Sequence, residues 1–272
     1  MTLEDVKTAY DTQDVPMDKL TAVIDQAVVK TAPKRKRLNW WQTSLIGVGA
    51  VAAAFTLVLN TSYSFASAAE RMPVVRDAVK VLLFREYKHV DKTSYADIKV
   101  PLLTNLGSTE LADKLNASYA SEGRALYDAF MNKTAETPKS LTQTYQEKVN
   151  NDQLLVLERR QEMSMADTAT KLSYTTIDKQ RGLVLTLPML FKSNDYQTIL
   201  RDYVNKQIAA SDKYDTPVEA ISKTQNFYIN SRGQLVLVFQ RGDIAAMYVG
   251  PVEMTIPTNL IDSQLVSHEY VK

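Results

Sequence analysis

The chain has 272 residues, of which 45% are apolar and 23% are charged, so it can bury a hydrophobic core and is not globally disordered. Its net charge of +1 is far from the basic excess typical of nucleic-acid-binding proteins, and we expect no direct contact with nucleic acid. The chain has no cysteine and two histidines, and it lacks the glycine-rich motifs that hold phosphate groups. These absences point away from the common enzyme classes, and we expect no catalytic residue, metal site or cofactor.

The first 37 residues form a segment whose helices are short and acidic. Residues 1–28 contain six acidic and two basic residues, and Pro16 divides them. After Pro16, apolar residues recur with the spacing of one helical face, at Leu20, Val23, Ile24, Ala27 and Val28. About 30 residues cannot form a stable domain alone, so this face requires a partner. The acidic charge favours a basic protein over an anionic membrane surface.

A long uncharged stretch follows, and we interpret residues 38–60 as one transmembrane helix. No charged residue occurs from Leu38 to Ala69. The 20 residues from Trp40 to Leu59 would span roughly 30 Å as a helix, the thickness of a bilayer core. The basic run Lys34 to Arg37 precedes the stretch, which predicts a cytoplasmic N-terminus and an extracytoplasmic C-terminal part. A buried core helix and a cleaved signal peptide remain open as alternatives.

Residues 61–94 are interpreted as a juxtamembrane segment with a signal-peptidase-like site. The triplet Ala66-Ser67-Ala68 has the small residues that signal peptidases accept at a cleavage site. The apolar residues between positions 72 and 84 are typical of a short helix or strand.

Residues 95–272 predict an α+β domain with a largely antiparallel sheet and two main helices. One helix begins at Ser108, a plausible N-cap, and continues to Phe130. The second helix covers residues 196–208, and residues 132–150 read as a polar loop that runs into a strand. Strands are predicted at 95–103, 154–157, 171–176 and 183–187, in a hairpin formed by 227–229 and 235–239, and at 252–256.

Two features of this domain bear on chemistry. The segment from Asp243 to Gly250 joins two predicted strands and is the best place for an exposed aromatic contact. The carboxylates available for a glycosidase-like pair are Glu158, Asp195, Asp243 and Glu253, but sequence spacing does not show whether any two face each other. Both histidines, His89 and His268, are interpreted as surface residues.

The order of these segments resembles that of the RsiV family of anti-sigma factors. The stretches that carry the resemblance cover most of residues 95–261: IKVPLLTNL, ELADKLNASYASEGRALYDAF, TIDKQRGLVLTLPMLFK, QNFYINSRGQLVLVF and GPVEMTIPTNLI. Weaker similarity covers residues 10–37 and 72–84.

The resemblance implies a function for each segment. Residues 1–37 would bind an extracytoplasmic-function sigma factor through Tyr10, Val15, Pro16, Leu20, Val23, Ile24 and Ala27. The outer domain would bind lysozyme through Ala246, Met247 and Tyr248, where the family has Pro-Gly-Tyr. Signal peptidase would then cut near Ala68, and an intramembrane site-2 protease would cut the span. The sigma factor would thereby be freed, and lysozyme-resistance genes would be transcribed. Such a protein is a single-pass protein of the cell membrane and not an enzyme.

Two other functions are consistent with the sequence. The chain could be a membrane-anchored protein that binds or modifies the cell wall. It could also be an ordinary secreted protein, cleaved constitutively after Ala68.

Overall fold

A computed structural model describes residues 79–132 and 139–272. The predicted sigma-binding segment, the predicted span at 38–60 and the Ala66-Ser67-Ala68 triplet lie outside the described residues. Among the residues that are described, no helix is both long and apolar enough to cross a membrane.

The larger sheet has six strands that lie side by side in chain order. They are β1 (Lys80–Val90), β2 (Ser94–Thr104), β3 (Lys139–Asn150), β4 (Leu154–Ser164), β5 (Thr168–Asp178) and β6 (Leu183–Val184). All neighbours are antiparallel except β2 and β3, which are parallel. A parallel pair needs a crossover connection, and helix α1 (Thr109–Met131) lies in the connection between these two strands.

The smaller sheet has three antiparallel strands, β7 (Phe227–Ile229), β8 (Leu235–Phe239) and β9 (Val252–Thr255). The predicted hairpin is confirmed as β7 and β8. Its turn is closed by Asn230, whose Oδ1 accepts hydrogen bonds from the backbone N–H groups of Arg232 and Gln234, and Gly233 has a φ of 74°. Helix α2 (Tyr196–Ala209) precedes this sheet and the short helix α3 (Thr258–Ile261) follows it.

Within the described residues, successive side chains of each strand point to opposite faces of its sheet. They fill three apolar interiors, which lie between four layers. Leu155 and Leu157 of β4 pack with α1, whereas Val156 packs against Tyr228 of the smaller sheet. On β8, Val236 and Val238 face the larger sheet, and Leu235, Leu237 and Phe239 belong to the interior that contains α2. The order of layers is therefore α1, the six-stranded sheet, the three-stranded sheet and α2, and the predicted α+β class is confirmed.

Helix α1 begins where the sequence predicts. The Oγ of Ser108 accepts a hydrogen bond from the backbone N–H of Leu111 at 3.2 Å, which caps the first turn. The side chain of Asn116 bonds both the N–H and the C=O of Leu103, at 2.8 and 3.0 Å, and so ties the helix to the end of β2.

Several strands differ from their predicted extent. The strand predicted at 183–187 is only two residues long, β6, because a 3₁₀ turn that contains Pro188 begins at Leu187. β3 occupies residues 139–150, where the sequence suggests mostly polar loop, and β4 and β5 are longer than predicted. The reason is that buried positions of these strands carry polar residues, among them Gln143, Arg159 and Gln161, which conceal the alternating pattern.

The sheet also begins upstream of residue 95, with β1 at Lys80. β1 is an edge strand, it carries the charged residues Arg85, Glu86 and Lys88, and a bulge interrupts its pairing between Leu83 and Arg85. An edge strand with this pattern lacks the regular alternation from which strands are recognised.

Candidate functional site

The candidate site is the connection between β8 and β9, residues 240–251, which we call the aromatic loop. Its tip is a 3₁₀ turn, Met247–Val249. The side chain of Tyr248 is 89% exposed, more than any other large hydrophobic residue that the structure describes, and Met247 beside it is 44% exposed. An exposed tyrosine next to a methionine on a surface loop is typical of a protein-contact surface.

The base of the aromatic loop is fixed by buried and hydrogen-bonded residues. Ile244 and Ala245 are buried in the interior that contains α2. The Oδ2 of Asp243 accepts a hydrogen bond from the backbone N–H of Gln240 at 2.7 Å. The carbonyl of Ile244 accepts from the backbone N–H of Asp215 at 3.1 Å. The loop is therefore an ordered platform rather than a loose connection.

Two glycines allow the chain to turn on either side of the tip. Gly242 has a φ of 81° and Gly250 has a φ of 78°, which residues with a Cβ rarely adopt. A Cβ on Gly242 would lie 3.7 Å from the Cγ of Met247, so the methionine side chain covers this glycine.

Arg241 connects the tip to another part of the fold. Its Nε donates a hydrogen bond to the carbonyl of Met247 at 2.8 Å, and its guanidinium forms an ion pair with Asp167 in the turn between β4 and β5. The hydrogen bond from Arg241 holds the pKa of Asp167 below its usual range. The side chain of Arg241 is only 13% exposed, so it lies beneath the exposed tip.

The predicted binding residues lie together at this tip, which follows from their adjacency in sequence. Met247 and Tyr248 are exposed, whereas Ala246 is half-buried and precedes the 3₁₀ turn. The predicted sigma-binding and cleavage residues lie outside the described residues, and they stay predictions.

Two of the four candidate carboxylates come together, in a group that we call the inter-sheet cluster. It consists of Lys148, Glu158, Tyr174, Tyr228 and Glu253. The hydroxyl of Tyr174 lies 2.7 Å from Oε2 of Glu158 and also contacts Oε1 of Glu253. Tyr228 donates to the other oxygen of Glu253 at 2.9 Å, and Nζ of Lys148 lies 3.1 Å from Glu158.

The inter-sheet cluster has the electrostatics of a structural bridge. Burial, followed by the hydrogen bonds to the carboxylates, raises the pKa of Tyr174 and that of Tyr228. Burial alone would raise the pKa of Glu158, but hydrogen bonds from Tyr174 and Lys148 bring it below the ordinary value. A glycosidase acid needs a raised pKa instead, so this pair joins the two sheets rather than resembling an acid–base pair.

Asp195 and Asp243 take no part in that cluster. Asp195 precedes α2 and accepts a hydrogen bond from Ser193 at 2.9 Å. Asp243 lies in the aromatic loop, where it bonds Gln240.

A serine, a histidine and an aspartate do meet at the turn between β1 and β2. Nε2 of His89 lies 2.8 Å from Asp91 and 3.1 Å from Ser94. The hydroxyl of Ser94 points to Oδ2 of Asp91 at 2.6 Å. A catalytic triad uses both ring nitrogens of histidine in series, whereas here one nitrogen contacts both partners, so the group closes the turn.

The remaining titratable groups offer no metal site in the part of the chain that the structure describes. Within residues 79–132 and 139–272, no three side chains of the ligating types are grouped so that they could hold a metal ion. His268 lies 3.7 Å from Asp262 at the surface.

The sequence alone does not reveal the residues that support the tip. Arg241 and Asp167 are 74 positions apart, and their contact depends on the packing of the β4–β5 turn beside the loop. The only local indication is the flanking pair Gly242 and Gly250, which marks a sharply turning loop.

The sequence was compared with protein families, characterised proteins and solved structures. A family described as a protein of unknown function, DUF3298, matches residues 189–259, a range that includes the whole aromatic loop. The anti-sigma-V factor RsiV of Bacillus subtilis (strain 168) is 31% identical over 99% of this chain and 99% of its own length.

Solved structures of the DUF3298 family share the fold. A member from Bacteroides fragilis NCTC 9343 matches with a TM-score of 0.55 at 17% identity, over 70% of this chain and 94% of its own. A second, from Pseudomonas aeruginosa PAO1, matches with a TM-score of 0.54 at 12% identity, over 73% of this chain and 99% of its own. These two likenesses concern the fold, whereas the identity to RsiV extends from end to end, and the chain therefore belongs to the family of the anti-sigma-V factor RsiV.

Proposed function

We propose that this protein is a membrane-anchored anti-sigma factor that sequesters an extracytoplasmic-function sigma factor and releases it by proteolysis when its outer domain binds lysozyme. The observation that carries the anti-sigma role is the identity of 31% to an anti-sigma factor over 99% of both chains. The N-terminal segment, residues 1–37, supports it, because its residues 1–28 are acidic and have a predicted apolar face but no core of their own.

The proposed lysozyme-binding surface is the tip of the aromatic loop. Tyr248 offers a large and almost fully exposed side chain on an ordered turn, and tyrosine gives contact area at a small loss of side-chain entropy. Because the whole chain carries a net charge of only +1, electrostatic steering of a basic ligand is weak, and affinity depends on this local contact.

Signalling requires that lysozyme alter access to the Ala66-Ser67-Ala68 triplet. A ligand shifts a protein towards an open state only by the difference between its affinities for the open and closed states. A change from 1% to 99% open requires about 5.5 kcal/mol of differential binding. After the first cut, the intramembrane protease removes the remaining span and the sigma factor leaves the membrane.

The test is made on the full-length protein in its own cells. Adding egg-white lysozyme is expected to convert the full-length protein into a shorter, membrane-retained fragment within minutes, as seen by immunoblotting of membranes. Tyr248→Ala is expected to prevent the conversion and to weaken lysozyme binding by about 1–3 kcal/mol in calorimetry, the scale for an aromatic anchor.

A matched pair of variants tests the cleavage site. Ala68→Leu is expected to block conversion, because the last position of the triplet must be small, whereas Ser67→Leu alters the unconstrained middle position and leaves it intact. Conversion that proceeds equally without lysozyme would contradict sensing and favour a secreted protein. Failure of a tagged peptide of residues 1–37 to capture any sigma factor from the host would contradict the anti-sigma output.

A further inference from the structure

We infer that Arg241 is a positioning residue of the aromatic loop, and that its contacts with Met247 and Asp167 hold Tyr248 ready for a protein partner. The inference rests on the proposed function, since it concerns the surface to which lysozyme is proposed to bind. It adds a residue that lies beneath that surface and acts through Tyr248.

The contacts of Arg241 join the tip to the larger sheet. Nε donates to the carbonyl of Met247, the first residue of the 3₁₀ turn and the neighbour of Tyr248. The same guanidinium pairs with Asp167, whose Oδ1 also accepts the backbone N–H of Thr168 at 2.7 Å. The turn between β4 and β5 thus holds Asp167 in place, and Arg241 links this residue to the backbone of the tip.

The hydrogen bonds of the 3₁₀ turn itself do not reach the larger sheet. Within the 3₁₀ turn, the bonds are local: Val249 N–H donates to Ala246 at 3.0 Å and Gly250 N–H to Met247 at 3.3 Å. Gly250 has nothing within 4 Å of its Cβ position, so the far side of the tip is open. Losing the Arg241 contacts would remove this link between the tip and the β4–β5 turn of the larger sheet.

The geometry also separates a positioning role from direct contact. Arg241 is 13% exposed, whereas Tyr248 is 89% exposed, so a partner that lies on the tip meets the tyrosine first. A guanidinium is a planar fork whose donors point in fixed directions, and lysine, with a single flexible ammonium, does not reproduce two contacts that diverge. Ordering a loop before binding removes part of the entropy loss of association.

The experiment is a double-variant cycle on the full-length protein in detergent micelles, with egg-white lysozyme as the ligand in calorimetry. Arg241→Gln is expected to weaken binding roughly three- to tenfold, the ordering cost of one or two side chains. Arg241→Lys is expected to weaken it by a similar factor. Because Arg241 acts through Tyr248, adding Arg241→Gln to Tyr248→Ala is expected to produce no further loss beyond about twofold.

A second measurement needs no ligand. In Arg241→Gln, the amides of Val249 and Gly250 are expected to exchange hydrogen faster than in the wild type, while the amide of Gln240 at the base keeps its rate. Asp167→Asn is a milder variant that leaves the Arg241 bond to Met247 in place, and we expect it to give an intermediate exchange rate. If Arg241→Gln lowers the melting temperature, Asp167→Asn still allows the exchange of these amides to be measured in a folded protein.

The outcomes separate the two proposals. If Tyr248→Ala binds lysozyme as the wild type does, the proposed binding surface is wrong, and the exchange measurement alone judges the positioning role. If Tyr248→Ala weakens binding but Arg241→Gln binds normally, or if the two losses multiply in the double variant, the positioning role is wrong and the surface stands. Unchanged exchange of Val249 and Gly250 would also overturn it.

Discussion

Lys171 is a charged residue in an unfavourable place. It lies on the side of β5 that faces α1, beside the buried pair in which Arg159 donates to Glu122 at 2.5 Å. Burial, and then repulsion from Arg159, lower the pKa of Lys171 to about 8. The folded protein therefore binds this proton less tightly than the unfolded chain does.

Lys171→Met is expected to stabilise the protein at pH 7 by about 1–3 kcal/mol, because the folded state no longer holds the charge of Lys171 beside that of Arg159. Between the folded pKa, about 8, and the ordinary value of 10.5, the unfolded wild type binds more protons than the folded one, so the contribution of Lys171 to the free energy of unfolding rises with pH. The difference in the free energy of unfolding between Lys171→Met and the wild type therefore decreases over this pH range and is largest below it.

Urea unfolding at several pH values, followed by circular dichroism, measures the difference. The exposed Lys223→Met is the control and is expected to change the free energy of unfolding by less than about 0.5 kcal/mol. Equal effects of both substitutions, or a destabilised Lys171→Met, would show that the charge of Lys171 is well accommodated.

At this scale, the sequence predicts the exposure of a residue when that exposure depends on the residue's neighbours along the chain. The exposure of Tyr248 follows from its place at the tip of a connection between two predicted strands. The burial of Arg159 and Gln161 does not follow from the sequence, because charged and amide residues usually lie at the surface, and only their partners in α1 and β3 explain it.

Helix α1 depends on a close approach to the larger sheet. A Cβ on Gly123 would lie 2.5 Å from Cγ2 of Val100, which is itself fully buried in β2. Nearby, the rings of Tyr87 and Tyr127 stack at 5.6 Å. The helix can lie this close to β2 only because position 123 has no side chain.

Gly123→Ala is expected to destabilise the protein by about 1–3 kcal/mol through overpacking, although alanine favours a helix by about 1 kcal/mol over glycine. Thermal unfolding measures the change. Combining Gly123→Ala with Val100→Ala removes the clashing methyl group, so the double variant is expected to lose less than the sum of the two single losses. Strict additivity would show that the helix shifts freely away from the sheet.

At the scale of elements, regular amphipathic patterns are sufficient to predict the two main helices. Both main helices lie where their apolar spacing predicts, and the Ser108 cap is confirmed. β3 was partly missed because its buried positions include Gln143, whose amide bonds the carbonyl of Lys99 and the side chain of Gln161. Such a strand is stabilised by partners distant in sequence, which no local pattern contains.

At the scale of the described domain, polar bridges join the two sheets beside the apolar interior that they share. Asn226 and Gln240 place their amide groups against the backbone of β5, where each accepts an N–H and donates to the carbonyl of Leu172. They complete the edge of β5 in place of a further strand. The inter-sheet cluster adds the contacts of Tyr174 with Glu158 and Glu253.

Tyr174→Phe is expected to destabilise the fold by about 1–3 kcal/mol, because Glu158 is buried and loses a hydrogen-bond donor. The control is Tyr203→Phe, whose hydroxyl makes one long, exposed bond of 3.4 Å to Thr255, and its effect is expected to be close to zero. Chemical unfolding compares the two. A Tyr174→Phe variant as stable as its control would mean that Lys148 alone satisfies Glu158.

The sequence predicts the class of this architecture but not its arrangement in space. Alternating and helical patterns indicate α+β, whereas the parallel pairing of β2 with β3 and the stacking of the smaller sheet on the larger one depend on which faces meet. The same limit applies to the candidate site: its tip is local in sequence, and its support from Asp167 comes from the other sheet.

If the protein is anchored in a membrane as proposed, its outermost strand, β1, affects how neighbouring copies meet on that surface. Molecules confined to one plane collide often, and a straight, apolar edge of 11 residues would invite them to join backbone to backbone into ribbons. The bulge beside Leu83 and the charges of Arg85, Glu86 and Lys88 make that joining unfavourable. Copies that meet along this edge can therefore remain separate.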